Sequence, residues 1–233
     1  MTIGSTDTLQ QAGVTITAAA CVIDTIRRRP GVRVPRGEFI VDRGFARDHL
    51  KWLTGRAVPD RLSDAQLLID FCLAIKLDTI CIHAESASQE APAMKINPAE
   101  IKSASEKDLF VFWVVNGAFQ KAMMTRGMTT FFSEIVRSPD DVRSQLSHFS
   151  DQAVDIMAQG VRSGAHGIII ADDIAYNRGT YTSAGFVEHY LLPVWQAQVT
   201  AARRFGVPVF LHSDGNLNGV LPLIVAAGFD GLL

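Results

Sequence analysis

The sequence lacks most of the features that decide a chemistry at a glance. Its three cysteines, Cys21, Cys72 and Cys81, are an odd number without a Cys-x-x-Cys pair, which argues against a disulfide framework and fits buried thiols in a reducing, cytoplasmic setting. A net charge of -2 without a long basic or acidic block gives nucleic acid or an anionic membrane nothing to grip. No run approaches the roughly 18 apolar residues of a membrane span, and the polar start Met1–Gln11, followed by Asp24 and Arg27-Arg28-Arg29, is not a secretory signal. Also missing are Gly-x-Gly-x-x-Gly after a strand, a Walker lysine loop, a Gly-x-Ser-x-Gly elbow and His-Glu-x-x-His. Dinucleotide, nucleoside-triphosphate, serine-hydrolase and zincin chemistry therefore lose support. A small-molecule substrate is the remaining default.

What is present is a recurring pattern of apolar runs that end in polar, chemically capable residues. Val207-Pro208-Val209-Phe210-Leu211 runs into His212-Ser213-Asp214-Gly215-Asn216. Gly167-Ile168-Ile169-Ile170-Ala171 ends in Asp172-Asp173, Thr79-Ile80-Cys81-Ile82 in His83-Ala84-Glu85, and Phe110–Val115 in Asn116-Gly117. Strands that each deliver polar groups at their C-terminal ends describe the mouth of a parallel (β/α)8 TIM barrel.

Helical signals fall between the runs. Ile16, Ala19, Ala20, Ile23 and Ile26 make a helix near 15–29, and Ser63 with Gln66 forms a capping box before Leu67, Leu68 and Phe71. Ser138-Pro139 starts a helix for which Gly160 and Gly164 are stops. Ser183 caps another that closes at Gly206, with Pro193 predicting a kink or break near Leu192, and a short helix runs over 218–227.

The pattern divides the chain into an N-terminal segment with a helix, residues 1–60, and a barrel domain over 61–233. Only about five strands are legible, against the eight of a closed barrel, so the barrel reads as truncated. An open sheet exposes an edge and an apolar inner face, so the isolated chain is expected to be poorly soluble or to associate into a homo-oligomer. A monodisperse monomer in ultracentrifugation would contradict this.

Several residues are candidates for the mouth. His212 and Asp214, two apart, face one side if the strand persists, as an acid/base or metal-binding pair; a turn in which Asp214 or Asn216 bonds backbone amides is the alternative. Alternation sends only one of Asp172 and Asp173 inward, the other capping or tying a loop. His83 and Glu85 repeat the two-residue spacing before the loop Ser86–Gln89. Asn116 offers an amide, and Gly117 permits close backbone approach. Tyr176, Asn177, Arg178 and Tyr181 could close over a ligand or lie in solvent.

Taken together, Gly167–Asp173, Tyr181-Thr182-Ser183, Leu192-Pro193, Phe205–Gly215, Val114–Phe119 and Ser138-Pro139-Asp140 resemble the uroporphyrinogen decarboxylase superfamily, from about Arg33 to the C-terminus. The resemblance implies a (β/α)8 barrel, often dimeric, and either of two chemistries: cofactor-free decarboxylation of tetrapyrrole acetates, or zinc-dependent methyl transfer from a corrinoid protein to a thiol. The decarboxylases' arginine motif, Arg-Gln-Ala-Gly-Arg-Tyr, is replaced here by Arg33-Val34-Pro35-Arg36-Gly37-Glu38-Phe39, and Glu85 stands near the place of their catalytic aspartate. The methyltransferases' zinc pair is His-x-Cys; His212 matches its histidine and Asp214 stands in place of its cysteine. The expected function is corrinoid-linked methyl transfer or demethylation, with His212, Asp214 and one of Asp172 and Asp173 holding a metal or polar substrate. Decarboxylation of a carboxylated substrate, with Arg33, Arg36 or Arg43 binding its anions, is the alternative. A third is an inactive fragment or interaction module whose barrel a partner completes.

Overall fold

The computed structural model describes residues 17–59, 61–84 and 98–233. Glu85, the loop 86–89, and the Thr15 and Ile16 assigned above to the first helix lie outside them. The chain alternates helix and strand. α1 (Ala18–Ile26), α2 (Arg43–Thr54) and α3 (Asp64–Ala74) precede β1 (Thr79–His83). Then come α4 (Pro98–Ser105), β2 (Phe110–Asn116), α5 (Ala118–Arg126), α6 (Met128–Arg137), α7 (Pro139–Arg162) and β3 (Gly167–Ala171). A two-stranded hairpin, β4 (Ala175–Tyr176) with β5 (Gly179–Thr180), leads into α8 (Ala184–Phe186) and α9 (Leu192–Phe205). β6 (Val209–His212), α10 (Leu221–Ala227) and β7 (Gly231–Leu232) complete the order.

β1, β2, β3, β6 and β7 form one sheet in that order, every pair parallel. Helical crossovers enforce this direction, because parallel neighbours need a long connection. The result is a partial (β/α)8 barrel, with β1 and β7 as its edges.

Strand alternation separates two apolar layers. Ile80, Ile82, Val111, Trp113, Val115, Ile168, Ile170, Val209 and Leu211 face the helices and join the main core. Phe110, Phe112, Val114 and Ile169, with Cys81 and Phe210 against them, face the lumen. The inner face expected to stand open is partly filled: Val22, Ala19, Ile23 and Ile26 of α1 pack on it, and Phe39 enters it from the β1 side. α1 is held at the N-terminal end of the strands, where the amide of Ala18 donates to Asp108 Oδ1 at 2.8 Å.

Several local signals act as the sequence implies. The Ser63 and Ser183 hydroxyls accept from Gln66 N and Phe186 N at 3.2 Å each, so both cap helices. The Gln66 side chain, however, bonds Asp70 rather than closing a capping box. Pro193 does not break its helix. The five residues Val187–Leu191 widen into a π-turn just ahead of it, because proline has no N–H for the carbonyl four residues back and its ring crowds that carbonyl. Gly160 is not a stop, since α7 runs through it to Arg162. A Cβ there would lie 2.3 Å from Trp113 Cδ1, so this glycine lets the helix close on β2. No helix among the described residues is long and apolar enough to cross a membrane.

Candidate functional site

The parallel register brings the strand ends level. Asn116 pairs with Ala171 and Ala171 with His212. Past the strands, Gly117 N donates to Ala171 O at 2.7 Å and Asp172 N to His212 O at 2.9 Å. The residues after β3 and β6 are therefore fixed side by side, and the alternation that makes Ile169 and Phe210 luminal points Asp173 and His212 the same way.

Asp173, His212 and Asp214 form a cluster whose three possible ligand atoms lie within 4.8 Å of one another. His212 Nε2 is 3.9 Å from Asp173 Oδ1. That oxygen also accepts the backbone N–H of Asp214 at 3.0 Å, which holds the second carboxylate beside the first. The turn chemistry read into this segment falls to Asn216, whose Oδ1 accepts the amide of Asn218 at 3.1 Å. Ser213 points to the helix layer and receives the N–H of Ile174 at 3.1 Å.

His83 and Asn116 end the luminal rows of β1 and β2, so they border the same mouth. Phe39 links the two histidines. Its ring stacks on His212 with centroids 4.0 Å apart, meets His83 edge-on at 5.1 Å, and its carbonyl oxygen is 3.1 Å from His83 Nε2. No sequence signal marks this residue's role, since a lone phenylalanine in a segment without periodicity has no recognisable partner. Tyr176 and Tyr181 stack on each other at 5.7 Å on the exposed hairpin after β3. The Tyr176 carbonyl accepts from Asn216 N at 2.8 Å, which joins the hairpin to the loop after β6.

Two candidates go elsewhere. Asp172 faces the helix layer and is fully buried. Its oxygens accept from Gln120 N at 2.8 Å and Trp195 Nε1 at 3.0 Å, which ties β3 to α5 and α9. Burial pushes its carboxyl up to about 6 against the pull of those hydrogen bonds. The adjoining Gly117 leaves it room, since a Cβ there would sit 2.2 Å from the carboxyl carbon. Arg36 lies at the opposite end of the barrel. It donates to the Lys76 carbonyl at 2.7 Å, and its backbone amide bonds Asp78 at 2.8 Å, just before β1. The other arginines weighed as anion binders are also engaged: Arg33 in a fork on Asp78, Arg43 with Asp64 at 2.9 Å.

The cluster contains no thiolate among the described residues. Cys21, Cys72 and Cys81 are free cysteines. Cys81 sits two residues before His83 on the luminal row, and desolvation pushes its thiol up to about 12, which keeps it protonated at neutral pH.

The sequence model for uroporphyrinogen decarboxylase (URO-D) matches residues 99–233, more than half of the chain. The chain belongs to the URO-D family. The URO-D match takes in Asn116, Asp173, His212 and Asp214, whereas Phe39 and His83 precede it. No curated protein matches this URO-D chain in sequence. Among solved structures, it resembles a methyltransferase from Methanosarcina mazei with a TM-score of 0.71 and 18% identity, over 94% of this chain and 76% of that one. At that identity the likeness is one of fold.

Proposed function

We propose that this chain is a methyl-transferring member of the URO-D family, which exchanges a methyl group with a corrinoid protein and holds a divalent metal on Asp173, His212 and Asp214. One observation carries the reading: an imidazole and two carboxylates from two neighbouring strand ends converge within 4.8 Å at the barrel mouth. The donor set fits a divalent ion. Zinc accepts imidazole nitrogen and carboxylate oxygen, and two carboxylates balance its charge. Compared with a His-x-Cys pair the set is harder, which widens the choice toward other first-row divalent ions. When bound, such an ion lowers the pKa of a coordinated thiol or water and leaves room for the substrate.

The chain's own groups supply the setting. Stacking on Phe39 orients the His212 ring. Asp173 holds the Asp214 backbone, so the second carboxylate is positioned before any ligand arrives. Phe112 and Phe210, 5.4 Å apart, floor the site with apolar surface that keeps water out from below. Tyr176 and Tyr181 offer a flat exposed wall to the incoming partner. Decarboxylation is the weaker reading, because Arg33, Arg36 and Arg43 hold structural partners instead of facing the mouth.

Metal analysis of the protein purified without chelator tests the proposal, with His212→Ala as control. A stoichiometric divalent metal, lost in the variant, is expected. Wild type without metal removes this reading. Loss of carboxylates from uroporphyrinogen under anaerobic conditions would favour decarboxylation instead.

A further inference from the structure

His83 lies outside the metal cluster and has its own arrangement. Its Nε2 stands 3.1 Å from the carbonyl oxygen of Phe39. A carbonyl oxygen can only accept, so the bond exists only if Nε2 carries the proton. In a neutral imidazole the other nitrogen then keeps a lone pair. Desolvation pushes the His83 pKa below the usual histidine value, the Phe39 hydrogen bond opposing it and nearby His212 adding to it, which favours the neutral ring. Nδ1 has no hydrogen-bond partner among the described residues. Phe39 thus acts on both imidazoles at once: its carbonyl sets the tautomer of His83 and its ring packs on His212.

We propose that His83 is the general base of this site, its Nδ1 taking the proton of the thiol that accepts the methyl group. Resting on the methyl-transfer reading above, the inference answers a need of that chemistry. Transfer of a methyl group to a neutral thiol releases one proton. The S–H bond breaks, its electron pair forms the new sulfur–carbon bond, the carbon–cobalt pair stays with the corrinoid, and the proton passes to Nδ1. Asp173, His212 and Asp214 cannot receive it while they ligate a metal. Among the described residues of the mouth, His83 is the neutral base outside that set.

The test uses the full chain loaded with zinc, methylcobalamin as donor and 2-mercaptoethanol as acceptor. His83→Gln retains a donor for the Phe39 carbonyl, so it is expected to keep its metal while losing about 100-fold or more in rate. Added imidazole is expected to restore part of the rate in His83→Gly. Nitrogen-15 spectra of the histidines in wild type should show His83 protonated on Nε2, a readout that does not depend on any variant folding. An undiminished rate in metal-loaded His83→Gln, or a His83 protonated on Nδ1, overturns the inference. A wild-type chain that holds no divalent metal overturns the metal-site reading itself, and this inference with it.

Discussion

The two ends of the barrel strands treat charge in opposite ways. At the N-terminal end, Asp78 receives the Arg33 fork and the Arg36 amide, Asp108 holds the first turn of α1, and Asp230 accepts the amide of Val209 at 2.8 Å. Each carboxylate there joins separate pieces of chain. At the C-terminal end, Asp173, His212 and Asp214 stand close together, His83 lies against the same Phe39 as His212, and these groups keep donor or acceptor capacity. Asp172 and Asp173 repeat the contrast within one dipeptide: the first is buried on Trp195 and Gln120, the second faces the mouth. A parallel sheet gathers its strand ends on one rim, and groups that need not stabilise the fold are available there for chemistry.

Mutation can break this contrast. The largest effect is expected for His212→Ala, with bound metal falling from stoichiometric to background in elemental analysis and methyl transfer lost with it. Asp173→Asn should lose metal as well while the metal-free melting temperature stays put. Asp172→Ala should do the reverse, costing about 3 kcal/mol in denaturant unfolding because two buried donors lose their acceptor. Equal destabilisation by both aspartate variants would erase the distinction between the faces.

At the other end, Asp78→Asn should cost about 2–3 kcal/mol at pH 7. The Arg33 guanidinium holds the Asp78 carboxyl below the ordinary range. Its contribution is therefore complete above the unfolded value of about 3.9 and is lost as pH falls through the lower folded value. Wild-type stability should decline on that acid side, and the variant should show a flatter acid limb in pH-dependent unfolding. Gly160→Ala, which forces a methyl into Trp113, should cost about 1–3 kcal/mol. Arg36→Ala should be smallest, within about 0.5 kcal/mol and without effect on turnover. A large loss of turnover there would restore an anion-binding role for this arginine.

Much of the fold was legible because it depends on local pattern. The apolar runs at Thr79, Phe110, Gly167 and Val209 are strands, Ser63 and Ser183 are caps, and Gly206 and Gly228 end helices in left-handed geometry. Less legible were features set by contacts between distant segments. Gly160 reads as a helix stop, yet Trp113 decides its role. Pro193 reads as a kink or break near Leu192, but not as the π-turn over Val187–Leu191 that carries the helix past it.

The candidate site divides along the same line. The residue types were visible: His83, Asn116, Asp173, His212 and Asp214 all follow apolar runs. By itself the sequence determined the parallel α/β architecture and placed chemically capable residues at the strand ends, because hydrophobic periodicity and strand-end composition are properties of neighbouring residues. Tertiary structure alone decided which aspartate of the pair faces the lumen, that Arg33 and Arg36 belong to the opposite end, and that Phe39 packs between two histidines. Those outcomes depend on register and on packing across more than 40 residues of intervening chain, where a one-residue shift would turn every side chain to the other face.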